Sequence, residues 1–179
     1  MKKRSLIITL VLLLLSFTLT AGSVGANGIS WRDYRGVFWL TVLHNNDGES
    51  DLIELGSGME GFGGAARFKT VVDQLKWTAL NGLNGYPNWW RGVIMVSSGD
   101  NFLAGPEFNA SQEKGVPFFD TIAMDLIGYD AVAIGNHDFD FGPDTLADFI
   151  EGYELTQPPY MSANLIYDGE PRLQALFEE

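Results

Sequence analysis

The 179-residue sequence contains no cysteine, only two histidines, and 11 lysines and arginines against 23 aspartates and glutamates. Without thiols there are no disulfides, no thiolate metal ligands and no lipid attachment at a leader cysteine. A metal site in this chain can use only oxygen and imidazole. The shortage of basic side chains argues against nucleic acid and anionic lipid as partners, since both are gripped chiefly through Lys and Arg. An anionic substrate would therefore have to be drawn in by bound cations.

What is present suits one folded domain: 46% of the residues are hydrophobic and 13% aromatic, ample for a core. The beginning reads as an export signal. Lys2, Lys3 and Arg4 precede an apolar stretch from Leu6 to Leu19, then small residues run through Ala26, with Val24-Gly25-Ala26 as the cleavage site. Residues 1–26 are thus expected to be a signal peptide. Residues 27–179 are expected to be exported, as a periplasmic, cell-surface or secreted body with no membrane partner after cleavage. The alternative is an uncleaved anchor, although the run is short for a span and includes Ser16, Thr18 and Thr20. Three of the 11 basic residues and none of the 23 acidic ones lie in the leader, so the remainder carries a net charge of −15. That acidity is read as solubility outside the cytoplasm.

Past the leader, strands and helices alternate. Phe38 to Leu43 reads as a strand, closed by the polar turn His44 to Ser50. A Gly-rich loop, Gly56 to Gly64, leads into helical spacing from Ala65 to Leu80 with Phe68, Val71, Val72 and Leu75 on one apolar face. After a loop in which Trp89 and Trp90 are expected to cap the core, Gly92 to Val96 makes a second strand. A Gly- and Pro-containing loop then precedes a helix over Pro117 to Ile127. Tyr129 to Ile134 forms a third strand, Pro143 to Gly152 a third helix and Tyr160 to Ile166 a fourth strand. This order predicts an α/β fold with a largely parallel sheet and helices on both faces.

In such a sheet the carboxyl ends of the strands share one rim, where ligands bind. Three strands end there in polar clusters: Asp47-Gly48-Glu49, then Asp100, then Gly135-Asn136-His137-Asp138-Phe139-Asp140. One Asp after a strand is commonly a turn former. Three clusters at the same topological position point to a site. A carboxylate such as Asp100 can bridge two divalent cations, and a pair of cations can clamp the oxygens of a phosphoryl group. Asp47 and Glu49 would hold one ion and Asn136 the other. His137 can carry a proton near neutral pH, with Asp138 or Asp140 to orient it.

Leu40 to Asp47, Gly63-Gly64-Ala65-Ala66-Arg67, Ser98-Gly99-Asp100, Gly135 to Asp140 and Ser162-Ala163-Asn164 occur in the order seen in calcineurin-like metallophosphoesterases. More narrowly, the chain resembles the exported 5′-nucleotidase and UDP-sugar hydrolase family from about Phe38 to Ile166. The resemblance implies the N-terminal portion of a catalytic domain, hence an incomplete four-layer metallophosphoesterase sandwich spanning residues 27–179. It further implies a metal-dependent phosphoester hydrolase with a small-molecule phosphoester, such as a nucleotide, as substrate. By the same resemblance Asp47 is a ligand of the first metal, Asp100 the bridging ligand and Asn136 a ligand of the second. His137 is the catalytic histidine and Asp140, rather than Asp138, its orienting carboxylate. His44 has no catalytic counterpart and is read as structural, and Arg67 as a packing or salt-bridge residue.

Two departures qualify these expectations. Glu49 stands where the family has a histidine. As a ligand it would shift preference from zinc toward manganese, magnesium or calcium, and otherwise it points to solvent. The family's two later histidine motifs, and its substrate-binding domain, have no counterpart in the sequence. The expectation is a truncated enzyme with weakened metal binding. The alternative is an exported non-catalytic binding module, or an inactive fragment, that keeps the fold.

Overall fold

The computed structural model of the chain describes residues 37–83, 85 and 89–177. The leader, its cleavage site and the question of anchoring lie outside the described residues. A four-stranded sheet with order β1-β2-β3-β4 is built from β1 (Trp39–Asn45), β2 (Arg91–Ser97), β3 (Ala131–Ala133) and β4 (Tyr160–Met161), and every pairing is parallel. Parallel neighbours require crossovers, and helices provide them. Helix α1 (Ala65–Asn81) joins β1 to β2, α2 (Pro106–Lys114) and α3 (Phe119–Ile127) join β2 to β3, and α4 (Pro143–Glu151) joins β3 to β4. Helix α5 (Pro171–Phe177) follows.

The fold is therefore mixed α/β with a parallel sheet. Its core gathers Met95 and Val132 from the sheet with Val72, Met124, Ile127, Leu146, Phe149, Ile150 and Leu173 from the helices. Leu43, paired in register with Met95, packs against the same cluster. Alternate strand residues point the other way. Phe38, Leu40 and Val42 remain about half exposed, at 56%, 54% and 52%. The described helices thus cover the Met95 face of β1 and β2 and leave the Val42 face open.

Several elements differ from the sequence reading. On α1 the buried positions are Val72 and Ala79, with Phe68 partly buried against them, whereas Val71 and Leu75 are exposed. The stripe that docks, against β1, β2 and α3, is narrower than the apolar pattern. Trp89 is 94% exposed and caps nothing. The fourth strand stops at Met161 because only Tyr160 and Met161 pair with β3. Helix α2 falls where the sequence reads as a loop. Its composition is polar, and it is held by Phe108, which stacks on Phe102 with ring centroids 4.7 Å apart, and by the buried Ser111, whose hydroxyl donates to Asp120 of α3. Pro106 at its start and Gly115 after its end are the helix signals that sequence holds.

Candidate active site

The rim at the carboxyl ends of β1, β2 and β3 is stitched by backbone hydrogen bonds that continue past the strands. Asp47 N donates to Gly99 O at 3.2 Å, Glu49 N to Asp100 O at 3.1 Å and Ser50 N to Asn101 O at 3.2 Å. These bonds carry the first polar cluster alongside the second. The second is pressed against the third: a Cβ at Gly135 would overlap the Asp100 carboxylate, and one at Gly99, whose φ is +96°, would overlap the backbone of Gly135. Only glycine permits this approach.

Asp47, Glu49 and Asp100 all adopt left-handed φ values, +50°, +48° and +52°. Such backbone is uncommon for non-glycine residues and persists where the surroundings impose it, which is frequent at functional sites. The Asp100 carboxylate accepts the His137 backbone N–H through Oδ1 at 2.8 Å. The Asp47 carboxylate is exposed and bonded by the Asn46 amide, and the side chain of Asn136 is exposed at the same rim.

His137 begins a short 3₁₀ turn (His137–Phe139), which brings the residue three positions on back beneath its ring. Nδ1 of His137 lies 2.8 Å from Asp140 Oδ2, with both side chains a little over one third exposed. That hydrogen bond is the first cause of a raised His137 pKa. Partial desolvation opposes it, and the negative charges of Asp140, Asp100 and Glu49 add to it. The imidazole therefore holds its proton to higher pH than usual, and it does so within the field of carboxylates from two other strand ends.

Asp138 points inward. It is 1% exposed, and its carboxylate accepts backbone N–H groups from Gly135 at 2.8 Å, Asn101 at 2.9 Å and Asp100 at 3.2 Å. Burial pushes its pKa up, against the pull of the bonds from Gly135 and Asn101. Behind it Asn101 Oδ1 accepts the Ser97 hydroxyl at 2.9 Å. Neither Asp138 nor Asn101 emerged from the sequence as a structural centre of the site. The only available signal was the extra carboxylate inside Gly135 to Asp140.

The geometry thus brings Glu49, Asp100 and Asp140 within electrostatic reach of His137, and places Asp47 and Asn136 on the same rim. Among the described residues no group of three or more His, Asp or Glu side chains is drawn together closely enough to hold a metal ion. The available donors are oxygens, which suit hard divalent cations as part of a coordination shell. Beside Asp47 a cleft of about 480 Å³ is lined by Asn45, Arg67, Phe68, Asn101 and Tyr129 among others. Arg67 is bonded to Glu54 at 3.1 Å. His44 is exposed on the open face of the sheet.

Comparison with known proteins gives this rim a context. No family model matches the sequence. The chain is 32% identical over 166 residues to a 5′-nucleotidase of Vibrio cholerae, a match covering 93% of this chain and 27% of the relative. The crystal structure of a 5′-nucleotidase precursor from Thermus thermophilus superposes with a TM-score of 0.55 at 32% identity, covering 77% of this chain and 24% of that one. The calcineurin-like phosphoesterase YfkN of Bacillus subtilis shares the fold, with a TM-score of 0.50 at 19% identity, covering 70% of this chain and 36% of that one. The chain spans between 9% and 27% of the length of the relatives it matches. By sequence and by fold, the chain belongs with the 5′-nucleotidases and calcineurin-like phosphoesterases as a homologue of their N-terminal part.

Proposed function

We propose that the chain forms part of a metal-dependent phosphoester hydrolase of exported type, acting on small-molecule monoesters such as nucleotides. The observation that carries this reading is the meeting of Asp100, His137 and Asp140 at the rim of a chain related to 5′-nucleotidases. Asp47 and Glu49 would each supply part of the shell of one divalent cation and Asn136 part of a second, with Asp100 shared between them, and these residues alone complete neither shell. Manganese, zinc, magnesium and calcium are the candidates, and the oxygen-rich donors favour the harder ions. Bound there, the ions supply positive charge for the phosphoryl oxygens and activation of water.

His137 holds a proton on the nitrogen not engaged by Asp140 and delivers it to the departing alkoxide. Asp140 fixes the ring orientation and favours the charged form until transfer. Glu49 and Asp100 add to the field that keeps that proton in place before cations bind.

Titration of the chain with Mn²⁺, followed by phosphate release from AMP and p-nitrophenyl phosphate, tests the proposal. The expected result is stoichiometric uptake and phosphate release abolished by EDTA, with His137→Ala lowering kcat about 10²- to 10⁴-fold. Absence of Mn²⁺ uptake, or phosphate release indifferent to both EDTA and His137→Ala, would overturn it.

A further inference from the structure

The carboxylate of Asp138 is the most heavily bonded acidic group at the rim, yet it is buried, at 1% exposure. Oδ2 accepts from Gly135 N at 2.8 Å and Asp100 N at 3.2 Å, Oδ1 accepts from Asn101 N at 2.9 Å, and Asn101 Nδ2 stands 3.4 Å from both oxygens. Most of these donors belong to the loop after β2, whereas Asp138 belongs to the turn after β3. The exchange is reciprocal, because Asp100 Oδ1 accepts the backbone N–H of His137 at 2.8 Å. Each loop therefore presents a carboxylate to the backbone donors of the other. No strand pairing remains between them at that point, since the β2–β3 register ends at Ser97 and Val132.

We propose that Asp138 is a positioning residue, a clamp that fixes the Asp100 loop to the Asn136–His137 turn and so sets the spacing of the groups that hold metal and move the proton. The consequence for metal rests on the proposed function above, whereas the clamp itself stands on the hydrogen bonds. A buried carboxylate is tolerated when its lone pairs are filled, and backbone N–H groups that share one carboxylate cannot separate without leaving it uncompensated. The glycine contact supports the same conclusion. Gly99 and Gly135 allow the loops to approach, and Asp138 supplies the attraction that holds them there. An amide in place of the carboxylate turns an NH₂ group toward donors, so Asp138→Asn loses one side of the clamp with almost no change in volume.

Amide hydrogen exchange and Mn²⁺ titration on the whole chain test the clamp. In Asp138→Asn, exchange at Asp100, Asn101, Gly135 and His137 is expected to quicken tenfold or more while Met95 and Val132 in the sheet keep their protection. Mn²⁺ affinity is expected to weaken about 10- to 100-fold, the usual effect of losing a residue that orients a ligand. Leu173→Ala, a buried apolar truncation elsewhere, should lower the melting temperature without either effect. Unchanged local exchange in Asp138→Asn, or the same pattern in Leu173→Ala, would overturn the proposal. If Asp138→Asn does not fold, the wild-type chain still decides: the four loop amides should exchange together as one opening, and unrelated rates would exclude a clamp. Failure of the wild-type chain to take up Mn²⁺ counts against the hydrolase reading, while the exchange data judge the clamp separately.

Discussion

Asp125 on α3 accepts three consecutive backbone N–H groups, from Glu154, Leu155 and Thr156, at 2.9, 2.7 and 3.0 Å. Burial would raise its pKa, but those bonds outweigh it and hold the carboxyl below the ordinary value. A group with a depressed folded pKa stabilises the fold above its unfolded pKa and ceases to do so as pH falls through the folded one. Asp125→Asn is therefore expected to cost about 1 to 2 kcal/mol at pH 7, with the difference from wild type shrinking as the pH drops below about 4. Paired urea titrations across that range check it, and a gap that widened in acid would contradict the assignment. At Gly135 the same scale predicts a steric effect. Gly135→Ala would drive a methyl group into the Asp100 carboxylate, so a loss of about 1 to 3 kcal/mol is expected by thermal melting, accompanied by loss of Mn²⁺ uptake. The glycine and the three acidic clusters could be read directly from the sequence. The inward turn of Asp138 could not, because it depends on donors from Asp100 and Asn101, residues distant in the chain.

At the scale of elements, the strands were legible where they were long. β1 and β2 follow apolar, β-branched segments and run seven residues each. β3 and β4 are shorter than their apolar runs suggest, since each pairs only where its neighbour reaches. Helix α2 shows the opposite error. Its interior offers little apolar periodicity, and tertiary contact supplies what its composition lacks: Phe108 stacks on Phe102 and meets Phe118 edge-on at 5.6 Å. Phe108→Ala should accordingly cost about 3 to 5 kcal/mol in denaturant unfolding, and a loss below about 1 kcal/mol would mean that α2 is held otherwise. Helix α5, which no reading of the sequence anticipated, docks through the fully buried Leu173. Beside it, Arg172 bonds Asp148 and Glu151 of α4 at 2.7 and 2.5 Å. The raised pKa of that arginine follows from its bonds to the same two carboxylates.

Among the described residues, the sheet face that no described helix covers is the largest-scale feature. Phe38, Leu40 and Val42 form an apolar strip on a chain with a net charge of −12. Charge repulsion opposes association, and exposed apolar area on an outer strand promotes it. The chain is expected to self-associate, and more strongly as salt screens the repulsion, with the double variant Leu40→Thr/Val42→Thr remaining monomeric. Sedimentation velocity at low and high salt is the check, and a wild-type chain that stays monomeric in both would show the strip to be harmless. The sequence by itself determined the α/β alternation, the parallel sheet and the acidic clusters at strand ends, because those depend on local periodicity and on strand direction. Tertiary structure alone decided which carboxylate bridges the two loops and which face of the sheet is covered. Those outcomes depend on the approach of segments far apart in the chain, where a donor a few ångströms away outweighs any local preference.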